Sequence, residues 1–353
     1  MTASQSNDAQ YTPPVSCWYD HLIELPFFHG SIDQITLSKK ARSRWDQLAA
    51  GARVSDPLSC GSAWQQAALR HSRRSRDPVI FCQSDTSQVS FSVMATPRGL
   101  LLVPLERHWK FGCPLLGPQA VELLCSVLTD VRRLIGDRLL QFEVPGIFPG
   151  DPLLPEIQSQ FKAIGHQRQD SHAAALIDND INAWNSRRSP GYRRFLKRAL
   201  RTASDEGIRM ERLTPASYHK AWNAFNRMLA VEKKSWKGRG STGLFDLPAF
   251  CQDLLCQYAE AGNAMVIFAT RNGEDVGFCF GGYSDGVYRG QQTSYSEQVR
   301  NFSVGHLMHY ETARWLCERK ARLHHFGPIQ PKMNYKRRLC ELELQSDVWR
   351  FSA

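Results

Sequence analysis

Residues 264–295 read AMVIFATRNGEDVGFCFGGYSDGVYRGQQTSY, and the order of the chain's second half follows from them. Three β-prone runs, Ala264 to Thr270, Asp275 to Tyr283 and Gly286 to Ser294, are separated by the dipeptides Asn272-Gly273 and Asp285-Gly286. Both dipeptides tolerate the positive φ angles of tight hairpin turns, so the three runs are expected as antiparallel neighbours. Val276, Phe278 and Phe280 alternate as one buried sheet face requires. Downstream, a loop from Tyr295 to Ser303 leads into a predicted helix from Val304 to Lys320 and a last strand, Leu323 to Phe326, that ends at Gly327-Pro328. Upstream, helices are predicted over Pro215 to Lys234 and Leu247 to Ala261, with a Gly/Ser loop from Lys237 to Gly243 between them. The order is helix, helix, three antiparallel strands, helix, strand.

The first half alternates in a similar way. Short apolar runs at Val79 to Cys82, Val89 to Met94 and Gly99 to Pro104 read as strands. Val121, Leu124, Leu128, Val131 and Ile135 share one face of a helix expected from Pro118 to Ile135, closed by Gly136. Leu139 to Val144 is a further expected strand. Glu156 to Ile164 is read as a helix with Ile157, Phe161 and Ile164 inward, followed by a strand at Ala173 to Ile177. Strands alternating with helices imply an α/β layer architecture. Arg187 to Arg201 holds seven basic residues and no acidic one, and the junction between halves is placed just before it.

Composition is globular, with 42% hydrophobic and 22% charged residues. The polar first fourteen residues read as a loose tail without a secretory signal, and no apolar run is long enough to cross a bilayer, so a cytoplasmic protein is expected. Ten scattered cysteines form neither a CxxC pair nor a zinc-finger spacing, so free thiols and no metal are expected. The net charge of +10 favours an anionic partner. Gly-x-Ser-x-Gly, GxxxxGK[ST] and HExxH motifs are all missing, which removes the common hydrolase, P-loop and zinc-protease readings.

The loop after the third strand reads Arg300-Asn301-Phe302-Ser303-Val304-Gly305. Small residues there let backbone N–H groups approach a pyrophosphate at the positive end of the next helix. Ser303 is expected to cap that helix. The element order is that of the GNAT core, and the loop resembles the Arg/Gln-x-x-Gly-x-Gly/Ala pattern of acyl-CoA-binding GNAT enzymes, with Ser303 in place of the first glycine.

Three further stretches resemble the FemAB-related, BioF2-like (CelD-like) acetyltransferase group: Trp184 through Gly207, Glu232-Lys233-Lys234-Ser235-Trp236-Lys237, and Gly327 to Lys336 with its Asn334-Tyr335-Lys336. Together they cover roughly residues 165 to 340. The resemblance implies an α/β fold (α+β, mixed sheets) of tandem GNAT-like domains, mostly antiparallel central sheets flanked by helices. The expected division is a tail over 1–14, an acceptor-side domain over 15–182 and a donor-side catalytic domain over 183–353.

It also implies roles. Lys336, beside Tyr335, would stabilise the charge developing at the transferred carbonyl, and Glu232 would take the proton of the attacking amine or orient it. The carrier's phosphate would lie on Arg300, Asn301, Ser303, Val304, Gly305 and His306. Arg194, Lys197, Arg198 and Arg201 form one stripe of an amphipathic helix and are read as a phosphate-binding or a merely solvated face. Trp236 and Lys237 complete the expected substrate surface. The implied activity is N-acyl transfer from acyl-CoA to an amine of a small molecule, amino acid or peptide. Aminoacyl-tRNA, an acyl-carrier protein as donor, and a non-catalytic binding module stand as alternatives.

Overall fold

The structure, a computed structural model, describes residues 22–31, 38–51, 56–72, 77–169, 171–239, 243–329 and 331–353; of residues 239 and 331–334 it gives the backbone alone. The expected tail over 1–14 lies outside these residues, as does the centre of the Gly/Ser loop. The first half contains strand β1 (Phe28–His29), helices α1 (Lys39–Ala50), α2 (Pro57–Cys60) and α3 (Ser62–Arg70), and strands β2 (Val79–Gln83), β3 (Gln88–Thr96), β4 (Gly99–Val103) and β5 (Leu115–Leu116). Helix α4 (Ala120–Ile135), β6 (Leu139–Ile147), α5 (Leu153–Gln160) and β7 (Lys162–Arg168) complete it. The second half begins with β8 (His172–Leu176), α6 (Ile181–Ser186), α7 (Pro190–Asp205), β9 (Ile208–Leu213), α8 (Tyr218–Lys233) and α9 (Pro248–Glu260). It continues through β10 (Ala264–Arg271), β11 (Glu274–Ser284), β12 (Val287–Tyr295), α10 (Val304–Glu318), β13 (Leu323–Pro328), β14 (Leu342–Leu344) and β15 (Asp347–Ser352).

Two mixed sheets result. The first runs β1-β2-β3-β4-β6-β15-β7, with β5 added to β3, and the second runs β14-β8-β13-β12-β11-β10-β9. Both are antiparallel except at one pair, β4/β6 in the first and β12/β13 in the second, each joined by a crossover helix. The expected hairpins of 264–295 are present, with Phe268 opposite Phe278 and Cys279 opposite Thr293. Asn272 and Asp285 adopt φ of 52° and 48° at their turns.

The two sheets repeat one plan, and relative to a junction at 182/183 each takes in a strand from the other side of it. Strand β8 lies between β13 and β14, while β15 lies between β6 and β7. A division at 182/183 therefore departs from the sheets: the all-alanine stretch Ala173–Ala175 is fully buried in the second sheet, and Phe351 is fully buried in the first. Strand β15 also accounts for the corrected reading of Glu156 to Ile164. The helix ends at Gln160, and Lys162–Arg168 pairs with β15 as a strand, because the ladder satisfies backbone groups that a lone helical turn would leave open. Ile164 is exposed there rather than inward.

Three apolar clusters hold the layers. One lies between the first sheet and α1, α4 and α5, and includes all five predicted apolar residues of α4. A second packs α6, α7 and α10 on the second sheet. The third joins the halves: Leu58, Trp64, Ala67 and Phe111 pack with Phe225, Met228, Phe250, Phe278 and Phe280. No described helix is long and apolar enough to cross a membrane.

Candidate functional site

Strands β12 and β13 run parallel and paired only over Val287–Arg289 and Leu323–His325. Beyond this they part. Strand β12 shifts register against β11 at Phe280/Gly281, and β13 shifts against β8 between His325 and Gly327. Such bulges bend a strand away from its neighbour, and between the parted strands lies a cleft of about 310 Å³. Gly290 to Thr293 form one side, Phe326 to Pro328 the other, and Tyr335 and Lys336 enter from the 3-10 segment Pro331–Arg338. The edge of β12 past Arg289 has no ladder partner on this side, so its amides face the cleft.

The opposite wall comes from the first half. Glu106, buried at the end of β4, accepts N–H bonds from Trp109 at 2.6 Å and Phe111 at 3.1 Å and so fixes the loop between them. Trp64 and Trp109 pack at 5.4 Å between ring centroids and line the cleft with Phe111. Asp56 caps α2 through the Leu58 N–H and accepts from Arg289 Nη1 of β12 at 2.7 Å. This ion pair is almost wholly buried, with side chains 0% and 3% exposed, and it ties the halves at the cleft's inner end. Arg289 Nη1 also reaches His325 Nδ1 at 2.8 Å, and the Gly327 N–H donates to the same nitrogen at 3.2 Å. With two donors on Nδ1, the His325 proton belongs on Nε2.

Lys336 is 7% exposed, and its Nζ donates to the Pro328 carbonyl at 2.8 Å. Burial first, then the nearby charges of Arg289 and Lys237, lower its pKa to about 7. Burial likewise holds His309 down to about 3 and His324 well below the usual imidazole range, so both are neutral. Both His324 ring nitrogens, His309 Nδ1 and Arg289 Nε are buried without a hydrogen-bond partner among the described residues. Buried polar atoms are nearly always partnered, so unpartnered ones lining a cleft mark it as built for a polar guest.

The structure brings some of the sequence-predicted residues together and separates others. Lys336, Tyr335 and Lys237 line one cleft, and Lys237 Nζ donates to the Thr293 carbonyl at 2.7 Å. Glu232 lies outside that lining. Its carboxylate accepts from Leu244 N at 2.9 Å and Ser235 Oγ at 3.2 Å, anchoring the loop that carries Lys237. Trp236 and Arg300 meet in a neighbouring surface pocket with Tyr295 and Glu297, and Asn301 is exposed.

Ser303 precedes α10 with φ of 56° and ψ of 29°, and its side chain makes no capping bond, contrary to the expected cap. In this left-handed conformation its carbonyl takes the His306 and Leu307 N–H groups, at 3.0 and 3.2 Å. Gly305 passes close to Tyr295, whose ring carbon would lie 3.1 Å from an added Cβ. Val304 is buried under the helix start, and His306 packs against Phe195 of α7 at 5.1 Å and Tyr335 at 6.1 Å. The cleft and the start of α10 are thus neighbours through Tyr335. Arg194, Lys197, Arg198 and Arg201 are all exposed on α7, over the buried Tyr192, Leu196, Ala199 and Ala203.

Sequence reasoning did not select Asp56, Trp64, Trp109, Phe111 or Arg289. None sits in a motif, and the ion pair spans more than two hundred residues of chain. His324 and His325 are adjacent in the chain and likewise sit in no motif. No group of three or more His, Cys, Asp or Glu that could hold a metal ion occurs among the described residues.

Residues 190–337, from the start of α7 through the 3-10 segment that carries Lys336, match the acetyltransferase (GNAT) domain family. Solved structures extend the likeness over both halves. FemX aligns with a TM-score of 0.60 at 11% identity, covering 87% of this chain and 95% of its own. A conserved protein of unknown function from Bacteroides thetaiotaomicron gives 0.60 at 11% identity, covering 92% and 99%. L-PGS from Bacillus licheniformis gives 0.53 at 15%, covering 80% and 86%. At these identities the likeness is one of fold, and it runs over most of both chains. No curated protein matches the chain by sequence.

Proposed function

We propose that the chain is a cytoplasmic N-acyltransferase that moves an acyl group from acyl-CoA to the amine of a small molecule, amino acid or peptide. The observation that carries this reading is Lys336, buried in the cleft between parted parallel strands with a pKa of about 7. A group poised near the working pH suits proton transfer. The acceptor amine attacks the thioester carbonyl and passes its proton to neutral Lys336. The resulting ammonium then faces the oxyanion it helped to create, where a preorganised charge in a dry site counts most. On collapse the C–S bond breaks and the departing thiolate takes that proton back. The unpaired edge of β12 suits the amides of the carrier's arm, by addition of an extended chain to a strand edge. Its phosphates are assigned to Arg300, Asn301 and the α10 start at Ser303, Val304, Gly305 and His306. Glu232 is assigned a positioning role, holding the Lys237 loop through Leu244 and Ser235.

One observation favours a second donor. The four exposed cations of α7 lie beside the α10 start, through the Phe195–His306 contact, and suit a larger phosphate-bearing carrier: aminoacyl-tRNA, or an acyl-carrier protein. Thiol release from acyl-CoA in the presence of an amine mixture tests the first reading. A donor that binds only as charged tRNA, with affinity falling steeply in salt, replaces it with the second.

A further inference from the structure

Gly327 is the residue at which β13 bends, with φ of 76°, a conformation glycine adopts freely. The nearest atoms to a Cβ added there, its chain neighbours apart, would be Arg289 Nη2 at 3.6 Å, Arg289 Cζ at 3.9 Å and Lys336 Nζ at 3.9 Å. A guanidinium nitrogen and a lysine nitrogen from different elements therefore border one point that no side chain occupies. Arg289 Nη2 makes no hydrogen bond among the described residues, because both of its side chain's bonds come from Nη1. Behind them, His324 is 0% exposed with both ring nitrogens unpartnered, and it too lines the cleft. Asp246 is the one acidic residue among the cleft's lining, beside Arg289, Lys237 and Lys336. The aromatic wall reaches the same spot, with the Arg289 guanidinium 4.6 Å from the Phe111 ring centroid and 5.5 Å from that of Trp64.

We propose that the gap over Gly327 is the acceptor site for an α-amino acid with an apolar side chain. The carboxylate lies on Arg289 Nη2, the amine on Lys336 Nζ and the side chain against Phe111 and Trp64. This deepens the acyl-transfer reading and rests on it for the fate of the amine, but the binding itself needs no donor. An α-amino acid carries its carboxylate and its amine on one carbon, which matches two nitrogens bordering a single point: a guanidinium for the carboxylate and an uncharged lysine nitrogen for the amine. Arginine offers the planar, two-pronged donor set that recognises a carboxylate.

Calorimetric titration of the full chain with L-phenylalanine, L-phenylalaninamide, phenethylamine and inorganic phosphate tests the site. L-phenylalanine is expected to bind, and the two analogues without a carboxylate to bind about 10- to 100-fold more weakly. Gly327→Ala, which fills the gap, should abolish that preference while leaving the fold intact by circular dichroism. Should Gly327→Ala not fold, Arg289→Gln combined with Asp56→Asn removes the anion site without stranding a buried charge. Equal binding of all three amines, no binding of L-phenylalanine, or phosphate binding alone would each overturn the proposal. Acyl transfer to phenethylamine with L-phenylalanine rejected would remove this site and keep the enzyme. Tight L-phenylalanine binding with no acyl-CoA consumption would keep the site and remove the donor reading.

Discussion

A buried lysine ammonium with a single carbonyl partner, bordered by two other cations, is costly to keep charged, and Lys336 sits in those surroundings. Its folded pKa of about 7 lies below the roughly 10.4 of an unfolded lysine. The folded chain thus binds fewer protons between those values, and the resulting penalty is full below pH 7 and fades as pH rises toward 10. Lys336→Met is accordingly expected to stabilise the protein by about 1–4 kcal/mol at pH 7. The gain in a melting experiment should shrink steadily by pH 10. The same variant should lose turnover, by about 100-fold or more if Lys336 moves the proton. In the wild type kcat/KM should rise through pH 7, whereas a descending limb there would assign Lys336 a permanently charged role. Asp56→Ala is expected to cost about 3–5 kcal/mol in chemical unfolding, because it strands the Arg289 charge, and adding Arg289→Met should recover much of that. Tyr335-Lys336 was legible in the sequence because its residues are contiguous. Arg289 and Asp56 were not, since nothing local distinguishes a strand arginine that pairs across the fold from one that faces solvent.

At the scale of elements, hairpin turns and helical periodicity located the second half well. Asn272-Gly273, Asp285-Gly286 and the α4 stripe speak through short-range chemistry. The reading failed where a distant strand decides, as at Lys162–Arg168, whose structure follows from β15. It failed also at Ser303, where the residue type suggested a cap and the backbone instead turns left-handed. Helix α7 was read correctly as amphipathic, and its basic face supplies a direct experiment. Arg194→Glu with Lys197→Glu should leave stability within about 0.5 kcal/mol, because both residues are exposed. If the face guides a phosphate-bearing carrier, the pair should weaken carrier binding by at least about 10-fold at low salt, with the difference fading at high salt. Unchanged binding in a filter or fluorescence titration assigns the stripe to solvent.

At the scale of the molecule, the two sheets are tied by one returning strand. Residues 172–344 supply the whole second sheet, whereas the first sheet needs β15 from the chain's end, so the first half does not contain all of its own sheet. Deleting residues 346–353 removes the strand between β6 and β7 together with the buried Phe351, which stacks on Phe142 at 5.2 Å. Hydrogen exchange should then show β7 unprotected and the first sheet weakened; unchanged protection there would contradict β15's place between β6 and β7. The third apolar cluster and the Asp56–Arg289 pair bring the aromatic wall of the first half over the cleft of the second, so the site belongs to the whole chain rather than to the family-matched segment. The measurement closest to the central claim is native mass spectrometry with acetyl-CoA and longer acyl-CoAs, followed by thiol release on adding an amine mixture, for the wild type and Lys336→Met. The account predicts an acyl-CoA adduct for both proteins and thiol release for the wild type alone. No adduct with any acyl-CoA, or undiminished release from Lys336→Met, would contradict it.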